Sequence, residues 1–202
     1  MEIRRTRLLV GSLAVAAVVG VAGGAILARL VDDDEPVDAV LTDPQDRDVP
    51  ADVSGIEPNE SVEGRELPDA VLSDRDGNEV PVSSFVGEPL VVNFWFSTCP
   101  PCAKELPAFA EVHSARGDEV RFIGVNTIDS VPVMERFAGE RGVAYELYRD
   151  DLAELTDGIG ASNFPVTIFV TSDGTIVDQT GALDAAELDA RIDDLLAREA
   201  ST

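Results

Sequence analysis

Cys99 and Cys102 are the only cysteines of the 202-residue chain, and Pro100 and Pro101 stand between them. Two thiols at that spacing can close a structural disulfide, hold half of a metal site, or exchange electrons with other thiols. A staple across so short a loop constrains the unfolded chain little, adding only ~2 kcal/mol. Structural zinc wants four ligands, usually Cys or His. The chain offers two cysteines and one histidine, His113, so no metal is expected. His113 falls on the apolar face of the helix that follows, where a packed histidine is the plainer reading.

The surroundings suit a redox pair. An apolar run ends at Phe96, and a helical pattern begins at or just after Cys99. The unpaired N–H groups and dipole of a helix start stabilise a thiolate. Cys99 would then be the exposed nucleophile, and Cys102, one turn further in, would resolve the mixed disulfide. The first turn of a helix has no N–H bonds for Pro100 and Pro101 to remove. They would also hold the sulfurs close in both redox states. No cofactor beyond the redox-active Cys99–Cys102 disulfide is expected.

The pair needs a scaffold, and about 140 residues are available for one. LPDAVLSDRDGNEVPVSSF (67–85) reads as a hairpin turning at Gly77. PLVVNFWF (89–96) is a continuous apolar run of the kind buried on both faces of a sheet. From Pro100 to about Ala115 the spacing of Leu106, Phe109, Ala110 and His113 predicts a helix. VRFIGVNT (120–127) is a second buried strand, and VPVMERFAGERG (131–142) a second helix ending at Gly142. YELYRDD (145–151) is a short strand, and LAELTDGIGASN (152–163) starts helical and then loosens. VTIFVTSDGTIVDQTG (166–181) is a hairpin, and DAAELDARIDDLLARE (184–199) an amphipathic helix with Leu188, Ile192, Leu195 and Leu196 on one face. Alternating strands and helices in the middle imply a parallel centre, with antiparallel strands added by the last hairpin.

Residues 1–31 are of another kind. The run 8–31 is apolar apart from Arg29, and a bilayer-spanning helix needs about 20 residues. Arg4, Arg5 and Arg7 precede it and Asp32–Glu35 follow, which predicts a cytoplasmic N-terminus and an extracytoplasmic remainder. A cleaved signal peptide has a shorter apolar core, about 7–15 residues, so an uncleaved single-pass anchor is expected. Residues 32–63 are rich in Asp, Glu and Pro and read as a disordered tether, leaving 64–202 as the folded domain. Formal net charge is −24. Residues 1–31 carry four arginines and one glutamate, so the exported part is near −27. Such a surface repels nucleic acid.

The segment VVNFWFSTCPPCAKELP, strand–WxxxCxxC–helix, resembles the thioredoxin superfamily. Within it the chain is similar to the membrane-anchored, extracytoplasmic TlpA/ResA-type thiol-disulfide oxidoreductases. Pro107 matches their helix-kinking proline. NFPVTIFVTSDGTIV matches their cis-proline loop and hairpin, which puts the cis-proline at Pro165. The resemblance spans about residues 64–198. It implies an α/β thioredoxin-like fold, a central mixed sheet flanked by helices with an N-terminal β-hairpin extension. It also implies a client surface at Trp95, Pro100, Pro101, Phe164 and Pro165. Thioredoxin itself has a buried aspartate where this chain has Asn93. The anchored branch often has asparagine there, and it places an acidic residue where this chain has Glu105. Glu105 would exchange a proton with Cys102; the alternative is a solvated first-turn acid favoured by the helix dipole. Trp95 either lines the site or packs in the core.

This sequence departs from the pattern at Thr98, where an aromatic is usual, and at Phe164, where a smaller residue is usual. The resemblance implies reduction of protein disulfides, apocytochrome c among the clients, with electrons from a membrane thiol carrier. Two other functions compete. A peroxiredoxin-like peroxidase would carry Pro and Thr seven and three residues before its cysteine, where this chain has Val92 and Phe96. An anchored binding module would use the Pro165 groove and leave the cysteines as an inert disulfide.

Overall fold

A computed structural model describes residues 59–201. The expected anchor and all but the end of the expected tether lie outside that range. Among the described residues no helix is long and apolar enough to cross a membrane.

The scaffold is built around one strand. Leu90–Phe94 (β3) is buried at all five positions. Successive side chains of a strand point to opposite faces. Leu90, Val92 and Phe94 enter one core, while Val91 enters a second core on the other face. β3 pairs in parallel with β4 (Arg121–Asn126) and antiparallel with β6 (Val166–Val170). The parallel neighbour requires a crossover, and helix α1 (Pro100–Arg116) supplies it. A second crossover, α2 (Val131–Gly139), leads to β5 (Glu146–Arg149), parallel to β4. Short α3 (Glu154–Gly158) precedes β6, and β7 (Ile176–Thr180) returns antiparallel to it.

The hairpin of β1 (Val71–Ser73) and β2 (Glu79–Pro81) adds two strands beyond β5. The sheet therefore runs β2-β1-β5-β4-β3-β6-β7. It is the expected mixed α/β sheet with an N-terminal hairpin at one edge. The opposite edge is covered in part by the chain before β1: Gly64 donates to Ile176 O (2.8 Å) and Leu67 to Gly174 O (2.8 Å). Edge strands left open invite pairing with other chains.

Helix α4 (Ala185–Glu199) starts with a capping box, Asp184 accepting from the Glu187 N–H and Glu187 from that of Asp184. Its Leu188, Ile192 and Leu195 pack with Val91, Phe109 and Phe122 on the α1 side of the sheet. Residues 59–63 have a tether's composition, yet they pack on the domain. Val62 is 1% exposed and belongs to the main core.

Candidate active site

The end of β3 and the start of α1 bring the cysteines to one corner. Cys99 is the N-cap of α1, and its Sγ accepts from the Cys102 N–H at 3.2 Å. The two are joined as a disulfide with Cα atoms 5.3 Å apart. Cys99 keeps 5% of its surface exposed and Cys102 none. In the reduced form the capping sulfur would face the helix N-terminus, which favours its thiolate. Pro100 and Pro101 occupy the first turn and are exposed.

Glu105 is neither solvated nor in the first turn. It lies in the second turn of α1, 3% exposed, directed at the sheet. Asn93 Nδ2 donates to its Oε1 at 2.9 Å, and the Leu183 N–H to its Oε2 at 3.3 Å. Asn93 also donates to Thr167 Oγ1 at 3.2 Å. The register explains the room: Asn93 has Gly124 on one side and Thr167 on the other. Burial pushes the Glu105 carboxyl up to about 7, against the opposing pull of its Asn93 and Leu183 hydrogen bonds. Burial first, and the Glu105 charge second, raise the Tyr145 phenol above its ordinary value. The site therefore holds a carboxyl able to gain or lose a proton near neutral pH, one helical turn past Cys102.

Trp95 has no exposed surface, so it does not line a client groove. Its ring stacks on Phe137 at 5.8 Å and shares a buried cluster with Cys99, Cys102, Leu106 and Met134. Arg141 lies over Phe137 at 3.5 Å and donates to the carbonyls of Phe137 (2.9 Å) and Ala103 (3.3 Å). The tryptophan is part of the floor beneath the disulfide. His113 lies against the edges of Phe122 and Tyr145, packed as an aromatic.

The Phe164–Pro165 peptide bond is cis. Phe164 meets Phe96 edge-on at 5.3 Å, so its bulk is absorbed by the residue that ends the β3 run. A groove of about 480 Å³ opens beside it, touching Pro101, Phe164 and Pro165. A second hollow of about 400 Å³ on the other side of Pro101 reaches Glu105 and Lys104. Pro100, Pro101, Phe164 and Pro165 thus gather around the pair, and Trp95 lies beneath it.

One group in the site's support was missed from sequence. Asp129 accepts from the Ser97 N–H (2.7 Å), the Ser97 hydroxyl (2.5 Å) and Asn126 Nδ2 (2.8 Å). Asn126 Oδ1 in turn accepts from the N–H groups of Ile128 and Asp129. Burial would raise the Asp129 carboxyl, but the Ser97 and Asn126 hydrogen bonds and the Arg149 charge outweigh it and hold the pKa low. The cluster pins the loop between β3 and Cys99. The spacing Asn126–Asp129 is an Asx-turn signal, readable in sequence, but its Ser97 partner is 32 residues away.

Comparison with known proteins agrees with this geometry. The family model described as Redoxin matches residues 62–194. The thiol-disulfide oxidoreductase ResA of Bacillus subtilis is 28% identical over 116 residues, covering 57% of this chain and 65% of that protein. ResA of Halalkalibacterium halodurans is 27% identical over 115 residues, again covering 65% of its length. The chain thus spans just under two thirds of these relatives. Among solved structures, MTB DsbF, in mixed oxidized and reduced forms, superposes with TM-score 0.59 at 28% identity, covering 64% of this chain and 96% of that one. A secreted Mycobacterium tuberculosis disulfide oxidoreductase homologous to E. coli DsbE gives 0.57 at 25%, covering 62% and 96%.

Proposed function

The chain belongs to the redoxin family, and on that footing we propose that it is a membrane-tethered, extracytoplasmic thiol-disulfide oxidoreductase that reduces protein disulfides through Cys99 and Cys102. The observation that carries the reading is the position of Cys99 as the cap of α1, disulfide-linked to a fully buried Cys102. The names of the ResA relatives support it.

In the reduced enzyme the Cys99 thiolate attacks a client disulfide. A Cys99–client disulfide forms, and the client's other sulfur leaves as a thiolate that takes up a proton. Cys102 loses its proton, attacks the Cys99 sulfur and expels the second client thiol. The client gains two electrons and two protons, and the enzyme is left as the Cys99–Cys102 disulfide. Glu105 is the acceptor for the Cys102 proton. A carboxyl poised near 7 can take it and give it back close to neutral pH. A membrane thiol carrier restores the dithiol. Apocytochrome c is the client class the TlpA/ResA resemblance suggests, and the apolar run 8–31 is the anchor.

Client trapping tests the chemistry. Cys102→Ser should accumulate mixed disulfides through Cys99, and Cys99→Ser should not. Trapped clients found on Cys102 would reverse the assignment, and no trapped client in either variant would remove it. Membrane fractionation with N-terminal sequencing tests the anchor: a soluble mature protein starting near Asp32 would remove that part alone.

A further inference from the structure

The groove beside Phe164–Pro165 is completed by residues that precede the sheet. Asn59 Oδ1 accepts from the backbone N–H groups of Ser162 and Asn163, both at 2.9 Å, and from the Ser162 hydroxyl at 3.1 Å. Its Nδ2 donates to the Asn163 carbonyl at 2.8 Å. A side-chain amide both donates and accepts. Here it engages both backbone groups of Asn163, as a neighbouring strand would. Asn163 leads directly into Phe164 and Pro165, so this clamp sets the position of the segment a client must meet.

Three residues on, the same stretch is fastened again. The Val62 N–H donates to Gln179 Oε1 at 3.0 Å, and the Val62 side chain is buried. Between the two fastenings Ser61 is exposed and lines the groove opposite Pro101. Among the described residues, none that lines the groove is charged, in a chain where 27% of residues are. A client carboxylate or ammonium seated there would meet no counter-ion among these residues, whereas hydroxyl, amide and small apolar groups need none.

We propose that residues 59–62 form a strap that walls the client groove, with Asn59 as a positioning residue, and that the strap selects clients whose cysteine lies in an extended segment flanked by uncharged residues. This rests on the thiol-exchange reading above.

The test uses the full chain in detergent, reduced beforehand with dithiothreitol, freed of it and followed in single turnovers, with kcat and KM read as the saturating rate and the half-saturating peptide concentration. The probes are three disulfide-bearing peptides that differ only at the residues flanking cysteine (Ser/Asn, Asp or Lys), with the small aromatic disulfide DTNB as a probe that needs no groove. Wild type should favour the neutral peptide in kcat/KM by about tenfold. Asn59→Ala should raise KM for that peptide about tenfold and change the DTNB rate far less. Asn59→Asp retains the acceptor and loses the donor to Asn163, and should behave similarly. Ser61→Asp changes only an exposed side chain and should shift preference to the Lys-flanked peptide by about tenfold. Equal use of all three peptides by wild type, an unchanged ranking in Ser61→Asp, or parallel losses of peptide and DTNB exchange in Asn59→Ala would overturn the strap. A wild type inert toward DTNB would instead overturn the thiol-exchange reading and the strap with it.

Discussion

Asn93 and Glu105 meet inside the sheet–helix interface, Nδ2 to Oε1 at 2.9 Å, and this pairing puts a titratable carboxyl behind the disulfide. Each residue makes the other tolerable. An unpaired buried carboxyl is costly, and a buried asparagine needs an acceptor. The arrangement holds that carboxyl one helical turn past Cys102, the residue proposed to pass it a proton.

Stability should therefore depend on pH through Glu105. Unfolded, it titrates near 4.3; folded and oxidised, at about 7. Between these values the folded state binds more protons, so stability falls as pH rises through the window. Below pH 4 there is no penalty, and above pH 7 it is complete, on the order of 3 kcal/mol. Glu105→Gln removes it. Urea denaturation of the oxidised domain should show the variant gaining on wild type from pH 5 to pH 8. A difference that stays flat across that range would mean Glu105 does not titrate there.

Kinetics should carry the same signature. Client exchange by wild type should show an inflection near the Glu105 value of about 7. Glu105→Gln should lose the inflection and, where proton transfer from Cys102 limits, slow by roughly 10²-fold. Removing a carboxylate that opposes a second negative charge should also lower the Cys102 thiol pKa more than that of Cys99. Thiol titration and stopped-flow exchange read both. Identical profiles would confine Glu105 to a structural role.

Trp95 is the sole tryptophan of the chain and packs in the cluster that holds both cysteines. Reduction of the disulfide should therefore change tryptophan emission, giving a direct redox titration. The floor is tight. A Cβ at Gly124 would come within 2.7 Å of Leu147 Cδ2 and 2.9 Å of Trp95 Nε1. Gly124→Ala should cost about 1–3 kcal/mol by overpacking and displace the indole. Denaturation midpoints check the first outcome, and the redox-linked emission change checks the second. An unaltered emission change would show that the indole is not displaced.

Much of this fold could be read directly. The continuous apolar run of β3 and the 3.6-residue spacing of α1 and α4 gave those elements because burial on two faces and on one face leave different patterns. The corner of the site was also legible, since β3, Cys99 and α1 are consecutive. Three features were not. Glu105 reads equally as a proton partner of Cys102, which the resemblance implies, or as a solvated acid, because its Asn93 partner is 12 residues away and its Leu183 partner 78. Trp95 reads equally as lining or floor until Phe137 is seen against it. Residues 59–63 read as tether because composition cannot register one buried valine, Val62, or the clamp at Asn59. In each case the deciding contact is distant in sequence.

Asp129 offers the last test, because its partners would be left stranded without it. It accepts from the Ser97 N–H, the Ser97 hydroxyl and the Asn126 amide. Asp129→Ala takes the acceptor from these three donors, two on half-buried Ser97 and one on buried Asn126, at a cost of about 1–3 kcal/mol for each group left unpaired. The folded pKa of Asp129 is held low, chiefly by these bonds overcoming burial. Its contribution is thus present above the unfolded value of about 3.9 and is lost as pH falls through the lower folded value. The stability gap between wild type and Asp129→Ala should be widest near pH 7 and narrow below pH 3, opposite in sense to the Glu105 effect. Ser97 stands two residues before Cys99, so loosening it should also slow client exchange. A gap that widens on acidification would show that the cluster does not hold Asp129 as a carboxylate.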